Sequence, residues 1–416
     1  MKISCKDLNL NIKAPLSKSV YHRELIVNFI LGARGSYLDA SPDDNDDIRA
    51  TKSCLKALED EASETLYLNC NESGSTLRFM IPVALVLKPE AAKRLIFQTR
   101  GRLIERPLKE LTECLKPFGV TITKNIEANE IEVTGNLTPG KYVIDGSVSS
   151  QYISGLLMAL SKFDSPSSIE VTGGIASIHY ITLTTEALSK YGVKIVKEGD
   201  TFNVPAKSTD AKADSNFEVE GDWSNGAFLL CLGSLIKGGS VSIPGLNKAS
   251  AQGDKAILDF LSKAGVPVNE DNGVMAVKDC SDLALVDEIS IDCKDIPDIV
   301  PYMAVVGAFR AKRTVLDGIK RLRIKESDRA RAITEMLTQI GGNVTLTDDT
   351  ITIEYIDTDK IPDEISLTSS GDHRMAMAAV LCAAATGKSI ELDDIDCLNK
   401  SFPYFREVVE EEMTIK

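Results

Sequence analysis

An internal repeat limits how this chain can fold more than any other feature of its sequence. A small polar loop, an apolar helix and a short β-branched strand recur six times, the helices beginning near KSVYHRELIVNFI, SGSTLRFMIPVALVL, SVSSQYISGLLMAL, DWSNGAFLLCLGSLI, DIPDIVPYMAVVGAF and GDHRMAMAAVLCAAA. With Ser75, Ser149, Ser224, Asp298 and His373 taken as equivalent, the steps are 74, 75, 74 and 75, and Ser19 lies 56 before Ser75. The strands that follow read YLDAS, RLIFQTRG, SIEVTGG, VSIPG, TVLDG and SIELDD, most closing on Gly or Asp as a turn requires. A second amphipathic helix usually comes next. Four of these reach a glycine placed as a C-cap, at Gly119, Gly192, Gly265 and Gly341, spaced 73, 73 and 76. Two interleaved periods that agree define six copies of one α/β unit.

Six units over 416 residues exceed a single core, which predicts two lobes of three units each. The most polar stretch near the middle, KSTDAKADSNFEVE at 207–220, separates the third unit from the fourth and marks a boundary near Gly221. The strand ISCKDLNLNI precedes the first unit, so it is expected to complete the second lobe, with the chain crossing near Pro15 and near Gly221. The expected lobes are therefore 15–221, and 1–14 with 222–416. A cleft between two lobes is the default place for a site.

Composition removes several classes of function. The chain is 43% hydrophobic and 26% charged, and no apolar run reaches the ~18 residues of a membrane span. Its start alternates polar and apolar residues rather than presenting a secretory signal, so a cytoplasmic location is expected. Nine scattered cysteines without a CxxC, and three histidines without metal-pair spacing, predict neither disulfides nor a metal site. A net charge of −14 argues against nucleic acid as a partner. Any anion that binds must be met by local positive charge.

That charge is concentrated in loops at equivalent places in the repeat. RLRIKESDRAR, 321–331, holds five cations and two carboxylates, and its first half read as a strand puts Arg321, Arg323 and Lys325 on one face. Other basic loops carry Arg100 and Arg102, Lys248, and Lys400. Helix starts add free N–H groups suited to phosphate or carboxylate: Lys18 and Ser19 in SKSVYHR, Gly74 with Arg78 one turn on, and the hydroxyl run of GSVSSQ. Each also has a plain structural reading as an N-cap or turn. Asp298, Glu326, Asp328 and Asp372 are the carboxylates available for proton transfer, or for ion pairing alone. No Walker A loop, GxGxxG after a strand or GxSxG elbow occurs.

Eight ordered segments, SKSVYHR, NESGSTLR, RGRLIERPL, DGSVSSQY, IPD, RIKESDR, GDHRMAM and NKSFP, carry a resemblance over essentially the whole chain. They are similar to the signature segments of the 5-enolpyruvylshikimate-3-phosphate synthase family. The resemblance implies an α/β fold of two lobes, each of three βαβαββ-type units, described as an inside-out α/β barrel. It also implies transfer of the enolpyruvyl group of phosphoenolpyruvate to the 5-hydroxyl of shikimate 3-phosphate, with loss of phosphate. The pathway would be chorismate and aromatic amino-acid synthesis. Lys18, Ser19, Arg23, Ser149, Ser150, Gln151, Ser177, Asp298 and Lys325 would contact shikimate 3-phosphate. Lys18, Gly74, Arg102, Gln151, Arg329, Arg374 and Lys400 would hold phosphoenolpyruvate. Asp298 would be the base, Glu326 a proton donor, and Lys18 a further acid, base or charge-stabilising group. Neither cofactor nor metal is implied, and a monomer is expected.

The chain departs from the family pattern at Arg321 and Leu322, at His179 and at Phe79, while Gly74 keeps room for the inhibitor glyphosate. The sister enzyme acting on UDP-N-acetylglucosamine is the nearest alternative. It would carry Lys-Asn in place of Lys18-Ser19 and a loop cysteine that RGRLIERPL lacks. A non-catalytic anion-binding protein of the same fold is a second alternative, which the retained carboxylates oppose.

Overall fold

The computed structural model describes residues 2–5, 8–362, 364–405, 407 and 414–415. The chain divides into two compact units, Ser17–Val219, and Met1–Leu16 with Glu220–Lys416.

Within Ser17–Val219, helices α1 (Lys18–Ile30) and α2 (Asp46–Ala57) come first. The stretch expected as the strand YLDAS is instead a 3-10 turn, Ser36–Leu38. It holds one apolar residue, Leu38, that is buried, so alternation of inward and outward faces never begins. Two βαβαββ units follow. The first has parallel strands Thr65–Asn71 and Arg94–Thr99, joined by α3 (Gly74–Leu87), then α4 (Lys109–Leu115) and a hairpin of Thr121–Asn125 with Glu130–Thr134. The second repeats this with Lys141–Asp145, α5 (Ser150–Leu160), Ser167–Thr172, α6 (Ile178–Lys190) and the hairpin Val196–Glu198 with Thr201–Val204. Helices α3 and α5 are almost wholly apolar and buried, and they meet closely. A Cβ on Gly155 of α5 would lie 2.8 Å from the Arg78 carbonyl oxygen of α3, so only glycine permits this approach.

The other unit is assembled from both ends of its sequence. Strand Asn9–Asn11 pairs in parallel with Ser240–Pro244, completing a sheet with the hairpin Asn269–Asp271 and Val274–Lys278; α7 (Trp223–Leu235) and α8 (Ile257–Lys263) belong to it. A contiguous βαβαββ unit follows, with strands Val286–Asp292 and Ala311–Asp317, helices α9 (Val300–Arg310) and α10 (Arg329–Gln339), and the hairpin Val344–Leu346 with Thr350–Glu354. Last, Glu364–Leu367 and Ser389–Leu392 flank α11 (His373–Thr386), and the chain terminus Lys2–Ser4 pairs antiparallel with Ser389–Leu392. The segment 321–325 is not a strand. It lies in a 3-10 turn, Lys320–Ile324, that leads into α10, with Leu322 as its one buried residue.

Polar side chains start five of the six apolar helices. Ser17, Ser73, Ser149, Asp222 and Asp372 each accept a backbone N–H of the first turn, while α9 has no side-chain cap and carries Pro301 as its second residue. The repeat thus places a small polar residue and open N–H groups at the same end of each of these five helices.

Candidate active site

In Ser17–Val219, the starts of α1, α3 and α5 hold most of the residues singled out in that half of the sequence. Lys18 opens α1 and its Nζ lies 2.8 Å from Asp47 Oδ2 at the start of α2. Arg23, one turn on, is 2% exposed and among the described residues meets neutral groups: its Nε donates to Thr184 Oγ1 at 2.7 Å, and its other nitrogens to the Ser19 and Tyr180 carbonyls and to Ser154 Oγ at 3.4 Å. Burial without a carboxylate in contact pushes its pKa down to about 9, a penalty that a bound dianion offsets. Ser149 caps α5, Ser150 begins it, and both are buried. Ser177, buried at the start of α6, sits at φ 51°, a left-handed conformation that costs a non-glycine residue energy.

A second group forms where α3 meets α5. Arg78 donates to Gln151 Oε1 at 2.7 Å, and Gln151 Nε2 donates to Ser75 Oγ at 2.8 Å. The guanidinium that packs on Gly74 belongs to Arg106: a Cβ on Gly74 would lie 2.4 Å from an Arg106 terminal nitrogen. Lys124 Nζ holds the loop beneath, donating to the carbonyls of Ile104 and Arg106 at 2.6 and 2.9 Å. Arg102, expected at this anion site, lies instead on the 3-10 turn Gly101–Glu105, over half exposed and paired with Glu105 at 3.4 Å. The expectation for Arg102 rested on the resemblance of RGRLIERPL to the family's segment. The turn carries the chain on until Arg106, just before Pro107, faces Gly74. Arg78 and Arg106 both lie in quoted signature segments, and their roles emerge only when α3 is folded beside the loop.

In the other unit, the start of α10 gathers charges of both signs. Arg329, 1% exposed, bonds three carboxylates: Asp298 at 2.7 Å, Glu326 at 2.9 Å, and Asp372 through two nitrogens at 2.8 and 3.3 Å. Lys325 donates to Asp298 at 3.1 Å and Lys400 approaches Glu326 at 3.7 Å. Ser327 donates to Asp372 at 3.1 Å. Burial works against the charge of Asp298, yet Lys325, Arg329 and Arg374 outweigh it and hold the carboxyl well below its usual range. Burial pushes the Lys325 ammonium down to about 8, with Asp298 opposing. Arg374, 4% exposed, donates to the hydroxyl of Tyr302 at 2.8 Å. Among the described residues no His, Cys, Asp and Glu group has the arrangement of a metal site, and no helix is long and apolar enough to cross a membrane.

The structure therefore brings together two sets of residues, each within its own unit. Lys18, Arg23, Gly74, Ser149, Ser150, Gln151 and Ser177 lie at helix starts of one. Asp298, Lys325, Glu326, Arg329, Arg374 and Lys400 cluster around the starts of α10 and α11 in the other. Buried cations met by neutral donors and acceptors suit anionic ligands. Carboxylates lodged among cations suit proton transfer beside those anions.

Such a pairing of two βαβαββ-built units is the enolpyruvyl transferase fold. EPSP synthase from Acinetobacter baumannii superposes with a TM-score of 0.75 at 20% identity, covering 99% of this chain and 98% of that one. The enolpyruvyl transferase NikO from Streptomyces tendae gives 0.71 at 14% identity, covering 100% and 98%. The family described as EPSP synthase (3-phosphoshikimate 1-carboxyvinyltransferase) matches residues 4–409. The 3-phosphoshikimate 1-carboxyvinyltransferase of Clostridioides difficile strain 630 is 31% identical, with 97% of this chain and 95% of the relative covered. The chain belongs to the EPSP synthase family.

Proposed function

We propose that this enzyme transfers the enolpyruvyl group of phosphoenolpyruvate to the 5-hydroxyl of shikimate 3-phosphate and releases phosphate, a step in chorismate and aromatic amino-acid synthesis. The observation that carries the reading is the ring of charges around Arg329, which holds Asp298 ionised beside Lys325 and Glu326 beside Lys400. Lys18, Ser19, Arg23, Ser149, Ser150, Gln151, Ser177, Asp298 and Lys325 bind shikimate 3-phosphate. Lys18, Gly74, Gln151, Arg329, Arg374 and Lys400 bind phosphoenolpyruvate, and Arg106 joins them in place of the exposed Arg102.

Asp298 takes the proton of the 5-hydroxyl and protonated Glu326 gives its proton to the methylene carbon; the tetrahedral adduct then collapses as the new methyl group returns a proton to Glu326 and the C–O bond to phosphate breaks, which restores the enolpyruvyl double bond. Lys18 stabilises charge on the adduct. In the unliganded chain Asp298 is a poor base, because two cations contact its Oδ1. Substrate phosphate and carboxylate that engage Lys325 and Arg329 share those charges, and the proton affinity of Asp298 rises when the hydroxyl is in place. The chain is expected to act as a monomer in the cytoplasm, without a cofactor.

The test is phosphate release from phosphoenolpyruvate, with and without shikimate 3-phosphate, for the natural chain and Asp298→Ala. Release that requires shikimate 3-phosphate and falls by roughly 100-fold or more in the variant supports the assignment. Release with UDP-N-acetylglucosamine in its place would transfer the reading to the sister reaction.

A further inference from the structure

A line of buried polar groups runs between α1, α2 and α3, and the substrate contacts proposed above do not include it. His22 Nδ1 lies 2.8 Å from Thr51 Oγ1, which lies 2.7 Å from Thr76 Oγ1. Thr76 Oγ1 is 2.8 Å from Ser73 Oγ and 3.2 Å from the Asp47 carbonyl oxygen. Ser73 Oγ also accepts the Thr76 N–H at 3.2 Å. None of these four residues is more than 1% exposed, so the protons available within the line must satisfy it.

Counting those protons fixes its direction. Thr76 directs its single hydroxyl proton to Ser73 Oγ and the nearby Asp47 carbonyl, so none is left for Thr51. Thr51 must then donate to Thr76, whose proton is already spent. Having spent its one proton, Thr51 can only accept from His22. His22 is therefore the Nδ1–H tautomer. Its Nε2 is buried without a hydrogen-bond partner among the described residues, in a ring set edge-on to Phe79 at 6.0 Å. Burial keeps the imidazole neutral, pushing its pKa down to about 3; Asp47 opposes this shift, and Lys18 and Arg23 add to it. A group so held is a fixed donor rather than an acid or base.

Both ends of the line reach the proposed site. Asp47, whose carbonyl ends it, holds Lys18 through its carboxylate at 2.8 Å, and Ser73 immediately precedes Gly74. We propose that His22 is a positioning residue whose Nδ1–H feeds a one-way hydroxyl chain that keeps the phosphoenolpyruvate-binding start of α3 in register with Lys18. The role rests on the function proposed above, whereas the tautomer does not.

The experiment combines an imidazole nitrogen spectrum with kinetics. The chain has three histidines, so His22→Asn identifies the His22 signals in the 15N-labelled protein. In the natural chain Nδ1 is expected to be proton-bearing, with no titration between about pH 5 and pH 8. Thr51→Val keeps the side-chain shape and removes the hydroxyl. It should raise KM for phosphoenolpyruvate about tenfold while kcat changes by less than about twofold. Thr51→Ser should restore KM. His22→Asn, whose amide N–H replaces the Nδ1 donor, should stay near the natural KM, and His22→Leu should behave like Thr51→Val.

A His22 Nδ1 without a proton would overturn the tautomer and the chain direction. Losses in kcat and thermal midpoint with KM for phosphoenolpyruvate unmoved would reduce His22 to a packing residue. No turnover by the natural chain with shikimate 3-phosphate would overturn the proposed function and with it the assigned role, leaving the tautomer to be decided by the spectrum alone.

Discussion

One methyl group at residue 74 decides whether Arg106 keeps its place. A Cβ there would fall 2.4 Å from an Arg106 nitrogen, and the atom in the way ends a long side chain, so α3 holds its position while the guanidinium leaves. Gly74→Ala should fold normally and lose a charge-assisted contact to phosphoenolpyruvate, raising its KM by roughly 10- to 100-fold. An unchanged KM in a steady-state assay would show that Arg106 does not bind this substrate. Lys325 supplies a pH-dependent counterpart. Its ammonium is pushed down to about 8, burial being the main cause. In the role proposed for it the charged form binds the substrate phosphate, so KM for shikimate 3-phosphate should climb above pH 8, approaching about tenfold per pH unit. Stability responds oppositely. The unfolded lysine titrates near ~10.4, so between about pH 8 and 10.4 the unfolded chain carries more protons and this group's contribution to stability grows with pH. Affinity and thermal midpoint followed together across that window separate the two effects.

At the scale of elements, α10 and α11 are joined through Asp372. One of its oxygens caps α11 by accepting the Arg374 N–H at 2.9 Å, and both bond Arg329 of α10. Asp372→Ala removes a cap and strips a fully buried arginine of one of its three carboxylates, and it should cost about 3 kcal/mol in denaturant unfolding. Asp328→Ala removes the half-buried cap of α10, which accepts the Arg331 N–H and pairs with the partly exposed Arg323 at 3.7 Å, and should cost about 1 kcal/mol. Equal losses would show that the Arg329 contact adds nothing. These elements were largely legible in the sequence, because periodic helices and the glycines that end them leave local marks. Gly119, Gly192, Gly265 and Gly341 all adopt positive φ, as helix C-caps of that kind require. Two segments misled. YLDAS and RLRIK read as strands by composition, yet each contributes one buried residue, Leu38 or Leu322, and a single anchor suits a 3-10 turn as well as a strand. Within the candidate site, Asp298, Lys325, Glu326 and Arg329 were readable from short motifs. The part played by Arg106 was not, since only the fold sets it against a glycine more than thirty residues earlier.

Across the whole molecule, the chain builds one unit from both of its ends. Ile3, Cys5, Leu8, Leu10, Ile12 and Ala14 belong to the same core as Trp223, Tyr302 and Met377, while Phe29, Phe79, Phe97 and Tyr152 belong to the core of Ser17–Val219. The first fourteen residues therefore serve a unit whose remaining sequence begins some two hundred residues later. Their contribution is not a matter of termini that fray freely. Strand Asn9–Asn11 is the edge partner of Ser240–Pro244, and Leu10 is its 4% exposed apolar anchor. Leu10→Ala should cost about 2 to 5 kcal/mol, depending on how far the site collapses. Because the two cores are separate, that loss should be local. Native-state hydrogen exchange is expected to quicken in Ser240–Pro244 and its neighbour Val274–Lys278, and to remain at the natural rate in Thr65–Asn71 and Arg94–Thr99. If protection fell equally in all four strands, the chain would be a single cooperative unit, and the division into two bodies of separate stability would be wrong.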